Sequence, residues 1–133
     1  MVKKLLIADD QPECLSYVID ALKGLYDVEV VESGDDALER IGQDGLDFII
    51  LDNDMSPGPK GKEIAKVVRS SYPNLPILLQ SSESGKYREE MNQIGVEVRH
   101  KCDTYGIVDY VTTTLGDVNP LPKPTKDFTF IGE

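Results

Sequence analysis

Two pairs of carboxylates, a hydroxyl and an ammonium stand at the ends of short apolar runs in this chain. Leu5-Leu6-Ile7-Ala8 runs into Asp9-Asp10, and Phe48-Ile49-Ile50-Leu51 runs into Asp52, with Asp54 two residues on. Pro76-Ile77-Leu78-Leu79-Gln80 ends on Ser81-Ser82, and Val96-Glu97-Val98-Arg99-His100 ends on Lys101. Apolar runs of this length, bounded by turn signals, read as buried strands. In a parallel α/β sheet the chemistry sits in the crevice outside the carboxyl ends of the strands. Four strands therefore aim acid, acid, hydroxyl and ammonium at one place. That set offers charge and hydrogen bonds, and it is a site.

The elements that must hold these groups alternate along the chain. After Asp10, Pro12-Glu13 suits a first helical turn, and Leu15, Val18, Ile19 and Leu22 recur at helical spacing until Gly24. Residues 26–32 alternate as a strand. Ser33 caps a helix carrying Ala37, Leu38 and Ile41, which ends near Gly42. Residues 45–52 form the third strand, and residues 56–61 a loop by their prolines and glycines. Ile64, Ala65, Val67 and Val68 mark a helix, residues 75–81 a strand, and residues 86–94 a polar helix with Met91 and Ile94 as its clear apolar positions. Residues 96–101 are the last strand, and residues 105–115 the last helix, with Ile107, Val108, Val111 and Leu115 on one face. Five β-then-α units in alternation mean a parallel sheet with helices on both faces.

Composition narrows the class. The chain has 133 residues, 40% hydrophobic and 29% charged, as expected of one globular domain with its own core. No apolar run approaches the roughly 18 residues of a membrane span, and Leu5-Leu6-Ile7-Ala8 is too short for a signal peptide's core. The two cysteines, Cys14 and Cys102, have no metal-ligand spacing and read as free thiols in a reducing cytoplasm. A net charge of −10 argues against direct nucleic-acid binding. From Asp117 the composition changes: Pro120, Pro122 and Pro124 precede the apolar tip Phe128-Thr129-Phe130-Ile131. The expected division is a domain over residues 1–116 and a proline-rich tail or linker over residues 117–133, its tip able to dock on the domain or on a second copy.

An acid pair after the first strand, an aspartate after the third, a hydroxyl after the fourth and a lysine after the fifth resemble the receiver domain of two-component response regulators. The stretches Leu5-Leu6-Ile7-Ala8-Asp9-Asp10, Val30-Val31-Glu32-Ser33-Gly34-Asp35-Asp36-Ala37-Leu38 and Asp47-Phe48-Ile49-Ile50-Leu51-Asp52 with Met55 carry the likeness, which covers roughly residues 3–115. The resemblance implies a flavodoxin-like, doubly wound five-stranded parallel sheet of order 2-1-3-4-5. Adjacent strands lie about 4.8 Å apart, so Asp9, Asp10 and Asp52 would come within side-chain reach. Three such carboxylates repel, and one takes a proton unless a cation intervenes. A hard divalent ion with oxygen ligands is the natural partner.

The resemblance further implies Asp52 as acceptor of a phosphoryl group from a sensor histidine kinase or phosphotransfer protein. It places Mg²⁺ on Asp10, on Asp9 partly through water, on Asp52 and on the backbone carbonyl of Asp54. Ser81 would bond a phosphoryl oxygen, though Ser82 stands beside it, and Lys101 would pair with the phosphate. The module would act as a cytoplasmic, non-enzymatic switch toward a downstream partner or output domain, with a homodimer possible.

The chain departs from the family pattern in several places. Ser56 lengthens the loop after Asp52 by one residue, and the last strand is one residue shorter between Gly95 and Lys101. Cys102 follows Lys101 where the family has proline, so no cis peptide is expected there. Val98 occupies the place of a switch aromatic and is too small to act as that lever, and Asp54 is an unusual acid. Two other classes compete: a pseudo-receiver that is never phosphorylated, and a haloacid-dehalogenase-like phosphatase, which the Asp52-Asn53-Asp54-Met55-Ser56 stretch resembles.

Overall fold

The computed structural model describes residues 2–124. Five parallel strands, β1 (Lys4–Ala8), β2 (Asp27–Val31), β3 (Phe48–Asp52), β4 (Ile77–Ser81) and β5 (Glu97–His100), form one sheet in the order β2-β1-β3-β4-β5. Between and after them run α1 (Ser16–Lys23), α2 (Gly34–Ile41), α3 (Gly61–Ser71), α4 (Ser84–Asn92) and α5 (Thr104–Leu115). This is the flavodoxin-like fold expected from the resemblance.

The three central strands are apolar without alternation because both of their faces are covered. Side chains alternate across the sheet, and the two parities build two cores. Leu6, Ala8, Ile49, Leu51, Ile77, Leu79 and Val98 pack under α2, α3 and α4. Leu5, Ile7, Phe48, Ile50 and Leu78 pack under α1 and α5. Continuing the second parity by one step past each strand's apolar run gives Asp9 after Ile7, Asp52 after Ile50 and Gln80 after Leu78. These three therefore share the α1/α5 side of the sheet's carboxyl end. Ser81 carries the opposite parity.

Local signals place the helix starts. Ser33 accepts a hydrogen bond from the Asp36 amide at 3.0 Å, and Asp103 accepts one from the Gly106 amide at 2.9 Å. The Glu63 carboxylate accepts from the Lys60 amide at 3.1 Å. At its other end α5 stops on Gly116, whose φ of 85° is the left-handed cap that glycine adopts freely.

The strands are shorter than the sequence reading drew them, and each difference has a cause. Asp47 turns its carboxylate back to accept from the Lys4 amide at 2.8 Å, so residues 45–47 form a connection and not strand. Arg69 collects the carbonyls of Tyr72, Pro73 and Leu75, which ties residues 75–76 to the end of α3. The first helix opens with a 3-10 turn, Pro12–Leu15, before α1 begins. On α4 the reading missed Tyr87, which is buried together with Met91. Residues 117–121 fold back on the domain. The Tyr26 hydroxyl donates to Asp117 at 2.6 Å, the Asn119 amide reaches the Tyr105 carbonyl at 3.4 Å, and Leu121 packs on the α1/α5 core. The apolar tip at Phe128, Phe130 and Ile131 lies outside the described residues. Among the described residues no helix is long and apolar enough to cross a membrane.

Candidate functional site

The carboxyl ends of β1 and β3 are neighbours, with Ala8 in register with Leu51, so the residues that follow meet. Asp9 and Asp52 are 0% and 1% exposed, while Asp10 is solvent-exposed. One carboxylate oxygen from each of Asp9, Asp10 and Asp52 lies within 4.8 Å of the others. Lys101 follows β5 immediately and reaches in with its Nζ 3.2 Å from Asp52 Oδ2 and 3.7 Å from Asp9 Oδ2. The structure thus brings together four of the residues singled out in the sequence, from three separate strands.

The others stand beside that cluster. Ser81 ends β4, and its hydroxyl oxygen accepts from the Glu83 amide at 3.0 Å. The Asp54 backbone amide approaches Asp52 Oδ1 at 3.5 Å, and its side chain is exposed. Among the described residues the cis peptide is Ser56–Pro57, in the lengthened loop, and not the bond after Lys101. That loop is docked: the Pro57 carbonyl accepts from the Gly34 amide at 3.1 Å, at the start of α2. Cys14 and Cys102 are free and exposed.

Two glutamines went unnoticed in the sequence. The Gln11 backbone amide donates to Asp9 Oδ1 at 2.8 Å, and Gln80 Nε2 donates to Asp9 Oδ2 at 3.0 Å. Gln80 is 0% exposed and in register with Asp52. The available signal was a polar residue at an inward-facing step of an otherwise apolar strand. Asn53, just past the end of β3, is buried as well and accepts from the Lys62 amide at 3.1 Å through Oδ1.

Electrostatics follow from burial and crowding. Burial, then the charge of Asp9, lift the Asp52 carboxyl from its ordinary value to about 6, with Lys101 and the Asp54 amide pulling the other way. Burial also raises Asp9, against the Gln11 amide and the Lys101 charge. Burial alone would lower the Lys101 ammonium, but the carboxylates of Asp52 and Asp9 outweigh it and raise its pKa. Three carboxylates face one ammonium, which leaves two negative charges on hard oxygen donors at one place. A divalent, oxygen-seeking cation such as Mg²⁺ fits both the charge and the donor set.

With that geometry in place, comparison with known proteins is decisive. Residues 5–112 match the family described as "Response regulator receiver domain". The chain belongs to that family. It is therefore a receiver domain of two-component signalling and not a haloacid-dehalogenase-like phosphatase. This receiver is 36% identical over 115 residues to a "Glycerol metabolism activator" of Pseudomonas putida, covering 82% of this chain and 46% of the relative. It is 29% identical over 109 residues to a "Probable cyclic di-GMP phosphodiesterase" of Vibrio cholerae, covering 80% of this chain and 22% of that protein. The chain thus spans less than half the length of either curated relative.

Solved structures agree on the fold. The response regulator TrrA of Thermotoga maritima, in complex with Mg²⁺-BeF, superposes with a TM-score of 0.73 at 26% identity, covering 85% of this receiver and 98% of TrrA. A CheY-like receiver domain protein of Methanospirillum hungatei gives a TM-score of 0.77 at 18% identity, covering 87% of this chain and 95% of that one, a likeness of fold.

Proposed function

We propose that this receiver, over residues 1–116, accepts a phosphoryl group on Asp52 from a phosphohistidine on a sensor histidine kinase or phosphotransfer protein. The observation that supports this most is the placement of Asp52. Its carboxylate is buried at a strand end, paired with Lys101 at 3.2 Å and grouped with Asp9 and Asp10. An Asp52 oxygen forms the new bond to phosphorus as the bond from phosphorus to the donor imidazole breaks, and the electron pair of that bond leaves with the imidazole nitrogen. The attacking carboxylate must be ionised, and a carboxyl lifted to about 6 is mostly so at neutral pH. Lys101 then pairs with a phosphoryl oxygen, holding charge where it accumulates.

Asp10, Asp9, Asp52 and the Asp54 carbonyl would hold Mg²⁺. When bound, the ion supplies positive charge that neutralises the transferring oxyanions. Ser81, whose hydroxyl oxygen accepts from the Glu83 amide, would donate its proton to a phosphoryl oxygen. The domain itself is a cytoplasmic switch without catalytic output, read by a downstream partner or an output domain. The TrrA complex with Mg²⁺-BeF supports the same use of Mg²⁺ here. The test is thermal: added to Mg²⁺-loaded protein, beryllofluoride should raise the melting temperature of the wild type and leave that of Asp52→Asn unmoved. No shift in the wild type would favour the pseudo-receiver.

A further inference from the structure

Gln80 is the residue of the pocket that none of the roles above uses. Its strand is apolar through Ile77, Leu78 and Leu79, and its parity points the amide into the space shared by Asp9 and Asp52. It is wholly buried, its Nε2 donates to Asp9 Oδ2 at 3.0 Å, and its Oε1 has no hydrogen-bond partner among the described residues. Leaving the oxygen end of a buried amide unanswered costs free energy, and the bond that the nitrogen end makes to a carboxylate offsets part of that cost. Turning the amide over would set Oε1 against an Asp9 carboxylate oxygen, so an ionised Asp9 requires the donor-inward orientation.

The oxygen that Gln80 holds is also the one nearest Lys101. Lys101 Nζ lies 3.7 Å from Asp9 Oδ2 and 3.2 Å from Asp52 Oδ2. Two buried carboxylates thus compete for one ammonium. Satisfying Asp9 Oδ2 with a neutral donor lets the ammonium take the shorter contact with Asp52. Gln80 and the Gln11 amide together engage both oxygens of Asp9, which fixes the plane of its carboxylate.

We propose that Gln80 is a positioning residue: its side-chain amide holds Asp9 from the sheet side and so reserves Lys101 for Asp52 and the group Asp52 receives. The inference rests on the phosphoacceptor reading for its consequence, but its geometry can be read without phosphate or metal.

The experiment has two arms. In metal-free, ¹⁵N-labelled protein, the Gln80 side-chain amide is assigned by its loss in Gln80→Met, a substitution of near-equal volume. It should exchange slowly with water and shift on Asp9→Ala, which removes the acceptor. A fast-exchanging amide that ignores Asp9→Ala would overturn the proposal. In the second arm, the rate of phosphorylation by acetyl phosphate at saturating Mg²⁺ is measured for wild type, Gln80→Met, Lys101→Ala and the double variant. Gln80→Met should lose about tenfold, the scale of a hydrogen bond to a charged group. In the Lys101→Ala background the loss should shrink to about twofold or less, because no ammonium remains to be partitioned. An equal loss in both backgrounds, or none in either, would overturn it, whereas a merely structural role would give equal losses. A protected, Asp9-dependent amide in a wild type that takes no phosphoryl group would refute the phosphoacceptor reading while upholding the contact.

Discussion

Replacing Asp52 by asparagine should stabilise the metal-free domain at neutral pH. The Asp52 carboxyl is lifted from 3.8 to about 6 by burial and by Asp9, even with Lys101 beside it. Its folded pKa lies above its unfolded value, so the native state holds the proton over a wider range. Below pH 3.8 both states are protonated and nothing is lost; between 3.8 and 6 stability falls as pH rises, and above 6 the whole cost is present. At 1.36 kcal/mol per pKa unit that cost is at most about 3 kcal/mol. Asparagine keeps the shape and removes the charge. That figure already contains the attraction of Lys101; the asparagine amide matches a buried carboxylic acid's hydrogen bonding only in part, which returns some of the gain and leaves about 1–2 kcal/mol net. For a domain of this size the melting temperature should rise by about 3–10 °C. The assay is calorimetry of wild type and Asp52→Asn in EDTA at pH 7.5 and pH 4. The difference should be present at pH 7.5 and should largely vanish at pH 4. A variant less stable at pH 7.5, or stabilised equally at both, would refute the reasoning.

Other consequences are narrower. Asp10→Asn should weaken Mg²⁺ binding more than any other single amide substitution in the cluster while raising metal-free stability, which a Mg²⁺ titration followed by melting temperature reads directly. At Gly61 a Cβ would overlap the Asp52 carbonyl oxygen, so Gly61→Ala should cost about 1–3 kcal/mol in urea unfolding and slow phosphorylation. Deleting residues 118–133 removes the Asn119 and Leu121 contacts with α5 and the core and should lower the melting temperature. Unchanged stability and hydrogen exchange would reduce that segment to a passive linker.

Much of this architecture was legible because buried parallel strands read as unbroken apolar runs, and β1, β3 and β4 are of that kind. The strand ends that carry Asp9, Asp52 and Lys101 followed from the same runs. The strand order did not; periodicity is silent on which strands are neighbours, and the receiver resemblance supplied it. The edges of β3 and β4 were misdrawn because Asp47 binds a backbone amide 43 residues away and Arg69 gathers the carbonyls of the connection between α3 and β4. Ser81 was placed correctly at its strand end, but its direction depends on parity and on the turn to Glu83. Gln80 was missed because its partner is Asp9, 71 residues away, and a single polar residue in an apolar run looks like tolerance. Tyr87 was hidden in a helix whose other residues are mostly polar.

The central claim is that Asp52 is a Mg²⁺-dependent phosphoacceptor. Intact-mass analysis after incubation with acetyl phosphate, with Mg²⁺ or with EDTA, tests it for wild type and Asp52→Asn. The wild type should gain a single phosphoryl group, in Mg²⁺ only, and Asp52→Asn none. Modification that persists in Asp52→Asn, or a wild type left unmodified with Mg²⁺ present, would contradict it.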